Sequence, residues 1–323
     1  MKWLGRLLFV LLAAIGAVWL FGPREPVDVT ARFDPAKFGE GIGVYLESTE
    51  ARLDGIKPGS EKRVVWAGQP ETRTPLSIVY LHGFSANAEE IRPVPDRVAE
   101  ALGANLVFTR YTGHGQNGAA LARATVRDWM YDTAEAMALG RATGEEVILL
   151  TTSTGGTFAA LAALDPEMSD RVKGIIFISP NFGINNPLAP LLTWPAARHW
   201  LPLVAGAERS FEPLNAGQAQ HWTTRYPSTA VFPVAAIVKY ATEQDYENVT
   251  VPALFYYADA DQVVSAKATH RVASAWGGPV TIATPTLGKG MDPFAHVIAG
   301  DILSPAGTGP TVDLILNWIG GLQ

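Results

Sequence analysis

Apolar residues along this chain fall into short, nearly continuous runs, separated by stretches in which they recur at helical spacing. The first run stands apart. Residues 1–22 carry an apolar stretch from Leu7 to Phe21, broken only by Gly16, behind the positive Lys2 and Arg6. A run of about 15 residues is signal-peptide length, and counted from Trp3 it approaches the roughly 20 needed to span a bilayer. Gly22-Pro23-Arg24-Glu25-Pro26 offers no small-residue cleavage site, and Trp19 and Phe21 suit an interfacial belt. Both a signal anchor and a cleaved signal peptide stay open, with the anchor favoured. Positive charge on the amino side places the following domain on the exported, extracytoplasmic side, tethered to the membrane. Residues 23–42, polar and Pro-punctuated at first, read as a linker.

From residue 43 onward a single domain is expected. GVYLEST (43–49) and KRVVWAG (62–68) alternate and predict two antiparallel strands. Strand and helix signals then take turns. PLSIVYL (75–81) predicts a strand, 89–102 a helix, NLVFTR (105–110) a strand and 125–141 a long helix stopped at Gly144. EVILL (146–150) and VKGIIFI (172–178) predict strands around a helix over 157–164. After Pro180 the alternation lapses into a Pro- and Trp-rich stretch. It resumes with strands at 252–257 and 279–283 and helices at 265–276 and 311–319. Near-continuous apolar strands between amphipathic helices imply an α/β, doubly wound, mostly parallel sheet covered on both faces. An insertion between its strands lies at the carboxyl edge, where ligands bind, so 181–248 is expected to form a cap.

Composition narrows the class. The chain has 323 residues, 48% hydrophobic and only 17% charged, too apolar for disorder. A net charge of −6 leaves no basic footprint for nucleic acid. Zero cysteines remove disulfides, thiolate metal sites and cysteine nucleophiles. The six histidines show no metal-binding spacing, so no metal or cofactor is implied.

Candidate chemistry sits at strand ends. Directly after EVILL comes Thr151-Thr152-Ser153-Thr154-Gly155-Gly156, and then a helix. A strand, sharp turn and helix around a serine is the setting of a nucleophile elbow, in which small residues two before and two after let strand and helix approach. Gly155 meets that need; Thr151 stands where glycine is usual. Together with YLHGFSA (80–86) and YTGHG (111–115), in this chain order, the motif resembles the α/β-hydrolase family of serine esterases and lipases.

The resemblance covers roughly residues 43–323 and implies an acid after the strand that follows the cap, then a histidine beyond the last strand. Asp261, followed after one residue by Val263, fits the acid; Asp259 is its rival. His296 lies 35 residues after Asp261 and fits the base. His82 and His114 sit in glycine turns, His199 and His221 in the cap, and His270 in a helix. The resemblance implies that Ser153 attacks an acyl carbonyl, His296 moves its proton and Asp261 orients the imidazole. Backbone N–H groups of Phe84 and Thr154 would bind the oxyanion.

A serine at the elbow implies acyl transfer, and the cap residues Leu188, Leu191, Leu192, Trp194, Trp200, Leu201, Leu203, Val204 and Trp222 could line a lipophilic acyl pocket or form the cap's own core. The expected activity is carboxylic ester hydrolysis on a small-molecule or lipid ester. The alternatives are a proline-type aminopeptidase or amidase, with Glu243, Asp245 and Glu247 holding an amine, transfer to an alcohol instead of water, and a non-enzymatic binding protein.

Overall fold

The computed structural model describes residues 2–322, apart from the side chains of Lys2, Leu11, Ala14 and Ile15. The positive charge expected at Lys2 and the amino terminus therefore lies outside the described residues. Helix α1 (Lys2–Phe21) leads into an irregular stretch with one short 3₁₀ turn (Pro35–Phe38), followed by α2 (Ile42–Glu50) and strand β1 (Arg63–Val65). Next come β2 (Thr74–Leu81), α3 (Val94–Leu102), β3 (Asn105–Phe108), α4 (Gly118–Arg123), α5 (Val126–Thr143), β4 (Gly144–Thr152), α6 (Thr154–Ala163) and β5 (Val172–Ile178). The excursion that follows holds α7 (Ala197–Ala205), β6 (Glu208–Ser210), α8 (Ala216–His221), β7 (Arg225–Pro227) and α9 (Val231–Thr242). The chain closes with β8 (Ala253–Tyr256), α10 (Ala266–Ala275), β9 (Val280–Ala283) and α11 (Pro305–Gly320).

Seven strands form one sheet in the order β1-β3-β2-β4-β5-β8-β9, parallel throughout except for β1. Alternate residues of each strand face opposite sides, and both sides are dry. Val79, Leu81, Leu149, Phe177 and Phe255 join one core with α5, α6 and α10. Ile78, Tyr80, Leu150, Ile178 and Leu254 join the other with α3 and α11. This is why the central strands read as unbroken apolar runs. β2 continues toward α3 on one face and β4 toward α6 on the other, so their carboxyl ends flank a crevice of the kind doubly wound sheets offer to ligands.

The sequence reading needs two corrections here. Residues 42–50 form a helix, not a strand. Ile42, Leu46 and Glu50, spaced four apart, are the buried positions, which is a helical period. Glu50 is held in place by a bidentate pair with Arg110, both bonds 2.7 Å. The helix expected over 89–102 begins only at Val94, because residues 84–93 run as turns before it.

The span expected at 1–22 gains no support: among the described residues, no helix is long and apolar enough to cross a membrane. α1 exposes Leu4, Leu7, Phe9 and Leu20, and touches the body near its end, where Trp19 stacks edge-on against Trp194 at 5.4 Å. Within the stretch read as a linker, Ala31 and Phe33 are buried, Phe33 among Phe38, Tyr45 and Tyr131.

Candidate active site

β4 delivers Ser153 at its carboxyl end, on the turn into α6. The serine has φ 51° and ψ −120°, a left-handed conformation that costs energy for a residue with a side chain. Two close approaches hold the turn. A methyl group on Gly155 would come 2.1 Å from the Leu81 carbonyl oxygen, and one on Gly156 would meet Pro180 at 2.8 Å. Thr151, where glycine is usual, is accommodated because its side chain is within the sheet and its hydroxyl donates to the Ile176 carbonyl at 2.9 Å. The buried hydroxyl is thereby satisfied.

His296 stands beside Ser153. Its Nε2 is 3.1 Å from Ser153 Oγ and its Nδ1 2.8 Å from Asp261 Oδ2. A carboxylate only accepts, so Nδ1 carries the proton and Nε2 is free to accept the serine hydroxyl. The Asp261 carboxylate is itself fixed, with Oδ1 taking the Val263 and Val264 N–H groups at 2.8 and 2.9 Å. Asp259 is exposed and does not meet the imidazole. Burial disfavours the charged imidazole, but the Asp261 hydrogen bond and charge outweigh it, with Glu90 and Asp292 adding to them, so His296 titrates above an ordinary histidine.

The loop carrying His296 is built by a residue the sequence reading passed over. Asp292 accepts the N–H groups of Phe294, His296 and Val297 at 3.0–3.2 Å. Ser304 ties the same loop to α11, donating to the Val297 carbonyl at 2.5 Å and accepting the Asp292 N–H at 2.8 Å. Ala295, just before the histidine, has φ 54°. An aspartate followed by proline and a turn was the available signal.

Phe84 and Thr154 line the same pocket, and neither backbone N–H meets an acceptor among the described residues. Thr154 opens α6, where the helix dipole adds to the pull on an anion. His82 shapes the neighbouring turn: it accepts the Tyr111 N–H at Nε2, 3.3 Å away, and sits 2.9 Å from the Gly83 carbonyl. Burial lowers its pKa to about 4, so it is neutral. His114 is buried and neutral for the same reason, whereas His199 and His270 are exposed.

The pocket above Ser153 has a volume of about 640 Å³. Phe211, Leu214, Trp222, Tyr226, Val231 and Val234 enter it from the excursion between β5 and β8. Of the apolar residues read as lining it or forming the cap's own core, only Trp222 lines it. Leu191, Leu192, Trp200 and Leu201 pack instead against Phe232 in a small core of their own, while Leu188, Leu203 and Val204 face solvent. Glu243, Asp245 and Glu247 are likewise exposed and line none of it. The acidic side chain that does reach this pocket from the excursion is Glu212. Among the described residues, no cluster of His, Asp or Glu could hold a metal.

A mostly parallel sheet clothed on both faces, with a serine on a strained strand-to-helix turn at its carboxyl edge, defines an α/β-hydrolase. Residues 73–283 match the family described as serine aminopeptidase, S33, which is more than half of the chain. The chain belongs to that family and is a hydrolase.

Solved structures of similar fold include one described with LipS and LipT, two metagenome-derived lipolytic enzymes. Its identity is 19% and TM-score 0.66, over 82% of this chain and 99% of that one. A monoacylglycerol lipase of Paleococcus ferrophilus follows at 15% identity and TM-score 0.58, over 81% and 98%. A monoglyceride lipase of Saccharomyces cerevisiae has 12% identity and TM-score 0.57, over 80% and 90%. No curated protein matches the chain.

Proposed function

We propose that this protein is a serine hydrolase that cleaves carboxylic esters with lipophilic acyl groups through an acyl-enzyme on Ser153. The observation that carries this reading is the Ser153–His296–Asp261 hydrogen-bonded series opening onto an apolar pocket of about 640 Å³. In it, Ser153 attacks the ester carbonyl while His296 takes the hydroxyl proton and returns it to the leaving alkoxide. Asp261 stabilises the imidazolium, and the Phe84 and Thr154 amides receive the oxyanion. Water then repeats the sequence on the acyl-enzyme. Residues 181–248 act as a cap over the site, and the exposed apolar side chains of α1 hold the domain at a membrane on its exported side. The lipolytic enzymes among the structural neighbours support an ester substrate.

The test is hydrolysis of p-nitrophenyl esters from acetate to palmitate by residues 23–323, beside Ser153→Ala. Turnover lost on the order of 10⁶ in kcat in the variant supports the reading. The second reading, an aminopeptidase, draws on the family's description and on Glu212, which could meet a substrate ammonium. Release of amino-terminal proline from peptides, with no ester turnover, would replace the first reading by the second. Membrane retention is read by fractionating cells that express the chain with and without residues 2–22; equal distribution would overturn it.

A further inference from the structure

Glu90 takes no part in the bond-making steps above, yet it is 3% exposed and lines the pocket with Ser153 and His296. It reaches the site from the turns that precede α3. Its Oε2 accepts the Gly83 N–H at 2.7 Å and the Tyr80 hydroxyl at 3.1 Å. Its Oε1 meets no donor among the described residues and is wedged beside the backbone: a methyl group on Gly83 would come 2.7 Å from that oxygen and 3.1 Å from Ser153 Cβ. Gly83 immediately precedes Phe84, whose amide is one of the two oxyanion donors. Glu90 therefore fixes the peptide immediately ahead of that N–H, with only the φ and ψ of Gly83 between them.

A buried carboxyl is costly, and a neutral acceptor could take the Gly83 N–H at less expense. The charge needs its own account. Tyr80 faces Glu90 from β2, and His296 faces it from the loop after β9. His296 in turn faces Asp261, Asp292 and Glu90. Burial pushes the Glu90 carboxyl up to about 7, with the Gly83 N–H and the nearness of His296 restraining the rise. A group poised there changes charge where the histidine does its work.

We propose that Glu90 is a positioning residue for the ester cleavage argued above, anchoring the Gly83 peptide so that the Phe84 amide is aimed at the oxyanion, and serving beside Asp261 as a second carboxylate that stabilises the His296 imidazolium. It rests on the reading of Ser153 as nucleophile, and its two parts are separable by chemistry. Glu90→Gln keeps an acceptor for Gly83 and removes the charge. Glu90→Ala removes both.

The experiment measures kcat and KM for a p-nitrophenyl ester across pH 5–9, the rate at which a fluorophosphonate labels Ser153, and the NMR titration of the His296 imidazole. Wild type, Glu90→Gln and Glu90→Ala are compared, with thermal melts beside them. Glu90→Gln should keep most of kcat, while the acid limb and the His296 titration move down by roughly one unit, since a neighbouring negative charge is lost. Glu90→Ala should lose roughly 10- to 100-fold in kcat and in labelling, with KM little changed, as expected of a mis-aimed oxyanion donor. Rescue by Gln separates aiming from bulk packing.

A folded Glu90→Ala with wild-type kcat, or a Glu90→Gln with an unmoved His296 titration, would overturn the proposal. Should Glu90→Ala fail to fold, the pH shift in Glu90→Gln decides. Should no ester be turned over by wild type, the ester reading fails alone, because labelling and the His296 titration still report on Glu90.

Discussion

Ser153 sits in a left-handed conformation that an unconstrained serine would leave, so its surroundings must hold it there. Gly155 is the tightest of those constraints. Gly155→Ala places a methyl group 2.1 Å from a backbone oxygen of β2, and the variant is expected to accumulate as unfolded or insoluble protein. A soluble Gly155→Ala with an unchanged melting temperature would contradict that. Asp261 and Asp259 make a cleaner pair. Asp261→Asn can present an amide N–H donor where the carboxylate accepts from His296 Nδ1–H, which favours the wrong tautomer, and kcat should fall by about 10⁴. Asp259→Asn should stay within about twofold, since that side chain points to solvent. The imidazole must be neutral to accept the serine proton, so kcat/KM should fall as pH drops, with its midpoint above the 6.5 of an ordinary histidine. A limb lying below that value would show that Asp261 and Glu90 do not act on His296 as described.

At the scale of elements, the helix at 42–50 has its cause far along the chain. Residues 43–49 alternate well enough to pass for a strand, but the carboxyl of Glu50 finds Arg110 only when the segment winds. Lys62 is anchored between Asp132 and Glu135 of α5, binding the segment that enters β1 to the same layer. Partners so distant along the chain leave no periodic trace in it. Replacing one member strands the other inside the protein. Arg110→Met is therefore expected to destabilise by about 3–5 kcal/mol in urea unfolding, the usual cost of breaking a buried pair. The double variant Glu50→Leu with Arg110→Met should recover most of that loss. A single variant as stable as wild type would mean that Glu50 reaches water.

On the scale of the whole molecule, α1 and the stretch after it differ in how they are held. α1 leaves its apolar side chains exposed, so chains beginning at residue 23 should melt within a few degrees of the full protein. Removing residues 1–34 also takes away Ala31 and Phe33, and Phe33 lies among three aromatic rings. Burying one large apolar side chain contributes about 1.5–3 kcal/mol, so that truncation should lower the melting temperature clearly. The pocket is the other property of the whole. Val231 and Val234 line it from α9, and Phe294 and Val297 line it from the loop that carries the histidine. Val234→Trp should shift the preferred p-nitrophenyl ester toward shorter chains while leaving acetate turnover near wild type. An unchanged chain-length profile would remove the acyl group from that part of the pocket.

The chain's local pattern determined the sheet and the order of its chemistry. Strand runs such as 172–178 and the strand, Ser153, helix succession are set by neighbours in sequence, through side-chain period and turn conformation, and so can be read from it. Which apolar residues line the pocket above Ser153 and which carboxyl holds Gly83 are different in kind. They follow from how the chain between β5 and β8 folds back and from where the turns before α3 come to rest. Glu90 carried no signal of its own inside the helix expected over 89–102, and Leu203 stood among residues that could line the pocket or form the cap's core. Only packing, which buries one and leaves the other in water, distinguishes them.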